Sequence, residues 1–250
     1  MSSYRRSIAL TLRRENIGEY DRRYTFYTKR YGKVVAIGRG THKILSKLAG
    51  TLEPYRVIEI NLASGKTNNT IIAAETINGR NGLWSGETTL VQAAFISEIV
   101  DTLIQPEQAD KNVWQLITQV YGELYKPSMV SNILGSFFIV RLLTILGFGP
   151  ELHNCINCHQ RLKSEPATMV ISRGLACQQC KIRGIRITTN VIKIIRLMQR
   201  GNWPLVKKLS ASNEDITLLS SVTYKLLGQH LAKPPATLKL LNYLARRVNG

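Results

Sequence analysis

The sequence predicts a multidomain α+β protein with a small β-barrel at its N-terminus and helices after it. Short alternating apolar segments fill residues 4–76, whereas residues 87–146 and 188–250 place apolar residues at helical spacing. All four cysteines lie between the two helical stretches. We therefore expect a barrel at 1–79, helices at 80–150, a cysteine module at 151–187 and further helices at 188–250.

Five apolar segments predict the strands of the barrel. They alternate apolar with polar residues or are rich in β-branched and aromatic side chains, as half-buried strands are. Turns at Gly18 and Gly32 separate the first three. This number of short strands suits a strongly curved barrel of the OB type, and such barrels commonly bind single-stranded nucleic acids. The segments are 8–12, 24–28, 34–38, 56–62 and 70–74.

The remaining pattern is helical. Asn78, Gly79, Asn81 and Gly82 predict a linker after the barrel. Helices are then expected from Glu87, from Asp110, from Pro127-Ser128 to Leu146, over 191–200, from near Asn213 and after Pro234-Pro235. The third is apolar nearly all round, so we expect it at the buried centre of a bundle. Because the helices on both sides of the cysteines are apolar, the cysteine module should be an insertion in an all-α helical domain.

The cysteines form two C-x2-C pairs, Cys155 with Cys158 and Cys177 with Cys180, and 18 residues separate the pairs. Each pair can turn both thiolates toward one metal, and two pairs complete the tetrahedral four-sulfur site of structural zinc. Two short disulfides or four unrelated buried thiols are the alternatives. His153 and His159 are close enough in sequence to be substitute ligands. The expected cofactor is one structural Zn²⁺, without a catalytic role because four thiolates leave no open position.

The positive charge of the chain is concentrated in two blocks. The net charge is +18 overall, made up of +9 in residues 1–80, −3 in 81–150 and +12 in 151–250. Such blocks suggest a polyanionic partner, most simply a nucleic acid. A generally basic, solvated surface is the alternative.

Basic residues recur through the predicted barrel, with Tyr20, Tyr24, Phe26, Tyr27 and Tyr31 among them. Cations that follow a phosphate backbone, beside aromatic faces that stack bases, are typical of single-strand binding. Tyr24 and Phe26 are better explained as barrel core, and the sequence does not decide the other three. The candidate DNA-binding residues are Arg13, Arg22, Arg23, Lys29, Arg30, Lys33, Arg39, Lys43 and Lys47.

Residues 38–47 form a basic loop between two predicted strands. Gly38 and Gly40 allow close approach of the backbone to a partner, and the cations suit phosphates. A mobile, solvated loop is the alternative. No G-x-x-x-x-G-K-[ST] segment occurs, so the sequence gives no sign of a nucleoside triphosphate site.

Several short motifs follow one another in a specific order and spacing. Those of the N-terminal part are Leu12-Arg13-Arg14, Gly18-Glu19-Tyr20-Asp21, Thr28, Gly32-Lys33, Gly38-Arg39-Gly40, Ser46-Lys47-Leu48 and Leu52-Glu53-Pro54-Tyr55. Together they resemble the N-terminal pattern of the bacterial RecO family. Leu146-Gly147-Phe148-Gly149-Pro150-Glu151-Leu152, directly before Cys155, is also similar to that family, at the point where a long core helix runs into its cysteine insertion.

The resemblance implies a recombination mediator of DNA repair. Such a protein binds single- and double-stranded DNA and anneals complementary strands, including strands coated by single-strand-binding protein. It also implies partnership with RecR, with the acidic C-terminal tail of single-strand-binding protein and indirectly with RecA, in the RecFOR pathway of the response to DNA damage. The four cysteines match the metal site that some members of the family lack.

The residues give no sign of an enzyme. The histidines lie in no recognisable catalytic motif, and the carboxylates are not clustered as a two-metal nuclease requires. The alternative function is a zinc-ribbon RNA-binding or ribosome-associated protein, which would share the charge and the cysteines. A transcription regulator is a third possibility, but no recognition-helix signature supports it.

The N-terminus is polar and basic and lacks the apolar segment of a secretory signal. The longest apolar stretch, 133–146, is too short to cross a bilayer. We therefore expect a cytoplasmic, nucleoid-associated protein with no membrane partner, in a compartment where thiols stay reduced.

Overall fold

The computed structural model describes residues 4–65, 67–77, 86–126, 132–163, 165–171 and 173–248. The chain divides into two compact units, Met1–Met129 with Pro235–Gly250 and Val130–Pro234. Among the described residues, the first contains the barrel and three α-helices, and the second contains the cysteine module and four α-helices. The four domain ranges expected from the sequence stay a prediction.

All five predicted strands are confirmed. They close into a barrel in the order β1-β2-β3-β5-β4, antiparallel throughout except that β3 and β5 run parallel. The long first strand pairs with both β2 and β4, and an irregularity between Thr11 and Arg13 lets it bend from one partner to the other. The strands are β1 (Tyr4–Ile17), β2 (Asp21–Thr28), β3 (Gly32–Gly38), β4 (Val57–Ser64) and β5 (Asn69–Thr76).

The barrel has its own apolar core. Tyr24 and Phe26 are fully buried in it with their rings stacked at 5.9 Å, which confirms that they are core residues. Leu52, from the β3–β4 connection, also enters this core. Burying large side chains of this kind stabilises a fold by about 1.5–3 kcal/mol each, so the barrel does not depend on a metal for its packing.

Three helices complete the first unit: α1 (Glu87–Leu103), α2 (Lys111–Leu124) and α7 (Ala236–Val248). Asp110 caps α2 as its position before the apolar pattern suggested, because its Oδ1 accepts from the backbone N–H of Val113 at 3.2 Å. The Tyr27 ring stacks on Trp114 at 6.3 Å, which ties the barrel to α2. The predicted linker at Asn78, Gly79, Asn81 and Gly82 lies outside the described residues.

In the second unit, α3 (Asn132–Ile145) packs against α4 (Thr189–Gln199) and α6 (Asn213–Gly228). Six of the seven residues over 137–143 are buried and the seventh, Arg141, is partly buried, which confirms α3 as a central helix. Its expected start at Pro127-Ser128 lies outside the described residues. A four-residue helix, α5 (Trp203–Val206), was not predicted, since so short a segment has no readable periodicity.

A small sheet beside the cysteines was not predicted either. It has the antiparallel order β7-β6-β8, formed by β6 (Ala167–Val170), β7 (Gly174–Ala176) and β8 (Ile185–Ile187). Strands of three or four residues are too short to show alternation. None of the helices in the described parts of the chain is long and apolar enough to cross a membrane.

The β2–β3 hairpin gives a stability prediction at Gly32. Its φ is +67°, and a Cβ there would lie 2.3 Å from the backbone carbonyl of Gln108. Gly18 has nearly the same φ, +66°, with nothing within 4 Å of its Cβ position. Gly18→Ala should therefore cost about 1 kcal/mol from backbone strain alone, and Gly32→Ala about 3 kcal/mol or more, because backbone atoms must also move. Urea unfolding of both variants checks this, and equal losses would contradict the close packing at Gly32.

Candidate metal centre and nucleic-acid interface

The fold brings the four predicted cysteines together. Their four Sγ atoms all lie within 4.8 Å of one another, and they form the cluster that could hold a metal ion among the described residues. Cys155 Sγ lies 3.7 Å from Cys180 Sγ, and Cys158 Sγ lies 3.9 Å from Cys177 Sγ. All four thiols are free, so neither pair forms a disulfide.

These distances fit a tetrahedral metal. With Zn–S bonds of about 2.3 Å, the edge of a regular tetrahedron of sulfurs is about 3.8 Å. The two Sγ–Sγ distances agree with that edge, and each of them joins cysteines from different C-x2-C pairs. His153 and His159 are exposed and do not belong to the cluster. The donor set is therefore four sulfurs, which is the composition of a closed structural site.

Two tight turns and the small sheet position these sulfurs. In the first turn, the His159 N–H donates to the Cys155 carbonyl at 3.0 Å, and in the second the Cys180 N–H donates to the Cys177 carbonyl at 3.3 Å. The Ile156 N–H donates to the Leu175 carbonyl at 2.9 Å, which attaches the first turn to β7. Apart from a few apolar neighbours, the core of this module consists of the cysteine turns themselves.

The two turns share one backbone feature. The residue after the second cysteine of each pair has a positive φ, +60° at His159 and +49° at Lys181. This left-handed conformation is unfavourable for most residues other than glycine. The same conformation at both equivalent positions indicates that both turns are shaped to aim two sulfurs at one point.

Hydrogen bonds around Cys155 favour its thiolate. Burial would raise the pKa of Cys155, but the backbone N–H groups of Cys158, Cys177 and Asn157 outweigh it and lower the pKa to about 6. A hydrogen bond with Cys180 raises the pKa of Cys177. The Asn157 side chain also donates toward Cys180 Sγ at 3.4 Å. The turns thus supply donors where metal-bound thiolates accumulate negative charge.

A second candidate site is the connection between β3 and β4, which we name the barrel-end loop (residues 39–56). Its first part is held by the β1–β2 turn, since the Gly40 N–H donates to Asp21 Oδ1 at 2.7 Å and the His42 N–H donates to the Tyr20 carbonyl at 2.9 Å. Its last part is held by β1 through a hydrogen bond of 2.7 Å from the Tyr55 N–H to the Thr11 carbonyl. The loop is therefore built onto the barrel at both ends.

Five of the nine candidate DNA-binding residues lie at this end of the barrel. Arg22 supports the loop, because its Nη1 donates to the Thr41 carbonyl at 3.3 Å. The other four are exposed, and no carboxylate lies within ion-pairing distance of them in the part of the chain that the structure describes. These four are Arg23, Arg39, Lys43 and Lys47.

The remaining four candidates are placed elsewhere. Lys29 and Arg30 are exposed at the other end of β2, whose eight residues span about 23 Å. Arg13 and Lys33 both contact Asp101 of α1, at 3.2 Å and 3.5 Å, and the Lys33 side chain is only 13% exposed. The structure thus separates the set into an unpaired cluster beside the loop, an exposed pair at the far end and two cations bound to a carboxylate. Their role in DNA binding stays a prediction.

The aromatic residues are also separated by burial. Tyr27 is fully buried and Tyr31 packs on the barrel core, whereas Tyr20 is 48% exposed beside the barrel-end loop. Lys43 Nζ lies 5.1 Å from the centre of the Tyr20 ring. The sequence could not show which of these tyrosines are buried and which are exposed. The alternation within a barrel strand does not show which residues lie beyond the end of that strand.

Sequence reasoning missed one feature of the loop. Ile44 is fully exposed and Leu45 is 93% exposed, although both are large aliphatic side chains. The signal was available, since an apolar pair stands between Lys43 and Lys47 in a segment otherwise expected to be solvated.

The chain combines a closed five-stranded barrel, helices and a four-cysteine cluster. It therefore belongs to the class of multidomain proteins that have an OB-like barrel and a candidate metal module. Two family models match this chain: Recombination protein O N terminal over residues 1–80 and Recombination protein O C terminal over residues 88–239. The chain belongs to the RecO family.

Curated relatives agree with this assignment. The chain is 28% identical over 241 residues to the DNA repair protein RecO of Dehalococcoides mccartyi, covering 95% of both chains. It is 25% identical over 239 residues to the DNA repair protein RecO of Clostridium novyi, covering 95% of this chain and 93% of the relative. A third relative of the same name, from Bifidobacterium longum, is 27% identical over 82% of this chain and 86% of its own length.

Proposed function

We propose that this chain is a non-enzymatic recombination mediator of DNA repair. It binds single- and double-stranded DNA and anneals complementary strands, including strands coated by single-strand-binding protein. With RecR it helps to load RecA onto the DNA. The observation that carries the proposal is the unpaired basic cluster at the barrel end, in a chain whose relatives are named DNA repair proteins.

The proposed interaction is mainly with phosphates. Arg23, Arg39, Lys43 and Lys47 are free of acidic partners within the described residues, so no ion pair must break before they meet a phosphate. Contacts of this kind position a nucleic acid without reading its sequence. The same contacts release counterions, so binding should weaken steeply as salt is added.

We also propose that the cysteine cluster holds one structural Zn²⁺. The four-sulfur donor set and its tetrahedral spacing support zinc, which prefers thiolates in closed sites. The ion would join the two turns and the small sheet into one core. It would take no part in chemistry.

Annealing of DNA strands that are coated with single-strand-binding protein tests the mediator function. Complementary strands labelled for fluorescence energy transfer are coated with the cognate single-strand-binding protein and mixed with this chain. We expect faster duplex formation than without it. Polylysine at equal charge is the control, because a generic polycation should not act through the coat. Acceleration no greater than that of polylysine, with tighter binding to structured RNA than to single-stranded DNA, would instead support an RNA-binding function.

A further inference from the structure

The exposed pair Ile44 and Leu45 is an unexplained feature of a well-anchored loop. In the same connection, Leu48 packs on the barrel core and Leu52 is fully buried in it. Other residues of this loop therefore contact the barrel core, whereas Ile44 and Leu45 at its tip remain exposed to solvent. Because the loop is held at both ends by backbone hydrogen bonds, this tip is a projection with a defined base.

The charges around Ile44 and Leu45 indicate which kind of ligand this tip contacts. Between Gly38 and Glu53 the chain carries Arg39, Lys43 and Lys47 and no carboxylate. The two acidic side chains at the neighbouring β1–β2 turn have partners: Asp21 accepts from the Gly40 N–H, and a hydrogen bond with Glu19 raises the pKa of Tyr20. A large apolar tip with cations on both sides complements a ligand that combines apolar faces with negative charge.

We propose that Ile44 and Leu45 insert between neighbouring bases of a DNA single strand whose phosphates are held by Arg39, Lys43 and Lys47. The proposal rests on the DNA-binding function above, and it adds how the chain contacts and separates the bases. Bases of a single strand present apolar faces that are not locked in pairs, and aliphatic side chains are known to separate stacked bases when they enter between them. A strand opened in this way has its pairing edges accessible, as annealing requires.

The surroundings favour bases over other apolar partners. Tyr20, half exposed beside the loop, offers an aromatic face near the tip, although Lys43 covers part of it. Phosphates and apolar faces alternate along a strand at close spacing, which matches an apolar pair flanked on each side by a cation. The alternative binding partners of this apolar tip are an anionic membrane and a second copy of this chain. The test below includes an outcome that would support each of them.

The test uses the full chain and a single strand that carries 2-aminopurine within a run of adenines, whose emission rises when the base is unstacked. We expect the unaltered chain to raise the emission and the double variant Ile44→Ser, Leu45→Ser to leave it low. The double variant should bind the strand about threefold to tenfold more weakly, with the same dependence on salt, because the phosphate contacts remain. Both side chains are exposed, so the substitutions should not affect folding.

Ile72→Ser is the matched control, since Ile72 is an exposed isoleucine on β5, outside the loop. This variant should unstack the probe as the unaltered chain does. If the unaltered chain binds DNA without raising the emission, or if the double variant raises it fully, the insertion is wrong and the proposed function survives. If the unaltered chain does not bind DNA at all, the proposed function fails and the insertion fails with it.

Two further measurements separate the competing occupants. Sedimentation with phosphatidylglycerol vesicles should not depend on Ile44 and Leu45, and the mass of the chain in analytical ultracentrifugation should be the same for the double variant. Loss of vesicle binding or of self-association in the double variant, with probe emission unchanged, would overturn the insertion in favour of that occupant.

Discussion

Replacing Cys155 with serine is expected to abolish the proposed zinc binding and to unfold the cysteine module. Cys155 is the most buried of the four cysteines, and its Sγ contacts both members of the second pair, lying 3.7 Å from Cys180 Sγ and 3.4 Å from the Cys177 backbone nitrogen, whose N–H it accepts. Structural zinc contributes about 10–16 kcal/mol to the folding of small zinc peptides, which is as large as the whole stability of a typical domain. The small apolar core of the module cannot replace it.

Metal analysis and hydrogen exchange measure this effect. The unaltered chain should carry one zinc per molecule, and Cys155→Ser less than about a tenth of that. Peptides from residues 151–187 should lose protection in the variant, and equally after treatment of the unaltered chain with a chelator. Peptides from the barrel strands should keep their protection, because the barrel has a separate apolar core.

The matched controls are His153→Ala and His159→Asn. Both histidines are exposed and outside the cluster, and asparagine tolerates the positive φ at position 159. Both variants should retain one zinc. Loss of the metal from either would show that a histidine is a ligand, and full protection of the metal-free module would show that the ion is dispensable for folding.

The second large effect is expected from removing charge at the barrel end. The triple variant Arg39→Gln, Lys43→Gln, Lys47→Gln should bind single-stranded DNA about 10- to 100-fold more weakly near 0.1 M salt. The slope of log affinity against log salt should become shallower by about 2, because about 0.7 counterions are released for each phosphate contact on a single strand. Fluorescence anisotropy over a series of salt concentrations measures both quantities.

A control with the same change of net charge is Lys208→Gln, Lys225→Gln, Lys233→Gln. These lysines are exposed, belong to the second unit and are not among the candidate DNA-binding residues. Their loss should change affinity by less than about threefold, because none of them is one of the proposed phosphate contacts and exposed charges that make no contact are weakened by salt screening. Equal weakening by both triple variants would mean that net charge, rather than the barrel-end loop, attracts the DNA. Unchanged affinity in the first would remove the loop from the binding site.

The sequence by itself determined the elements that depend on local pattern. Period-two alternation and the turn at Gly32 predicted the barrel strands, and the segment around Phe137 and Phe138, apolar nearly all round, predicted a central helix. The C-x2-C spacing predicted the cysteine cluster because each pair needs only one tight turn to align its sulfurs. These signals are local, so they do not require knowledge of the contacts between distant segments.

Only the tertiary structure decided which charged and apolar groups are available at the surface. Lys33 and Lys43 look alike in the sequence, but Lys33 lies against Asp101, 68 residues away in the chain, and Lys43 stands free of such a partner among the described residues. Likewise Leu52 and Leu45 belong to one loop, yet one is buried in the barrel and the other is exposed. Ion pairing and burial depend on contacts between residues far apart in sequence, and these contacts form only when the barrel closes.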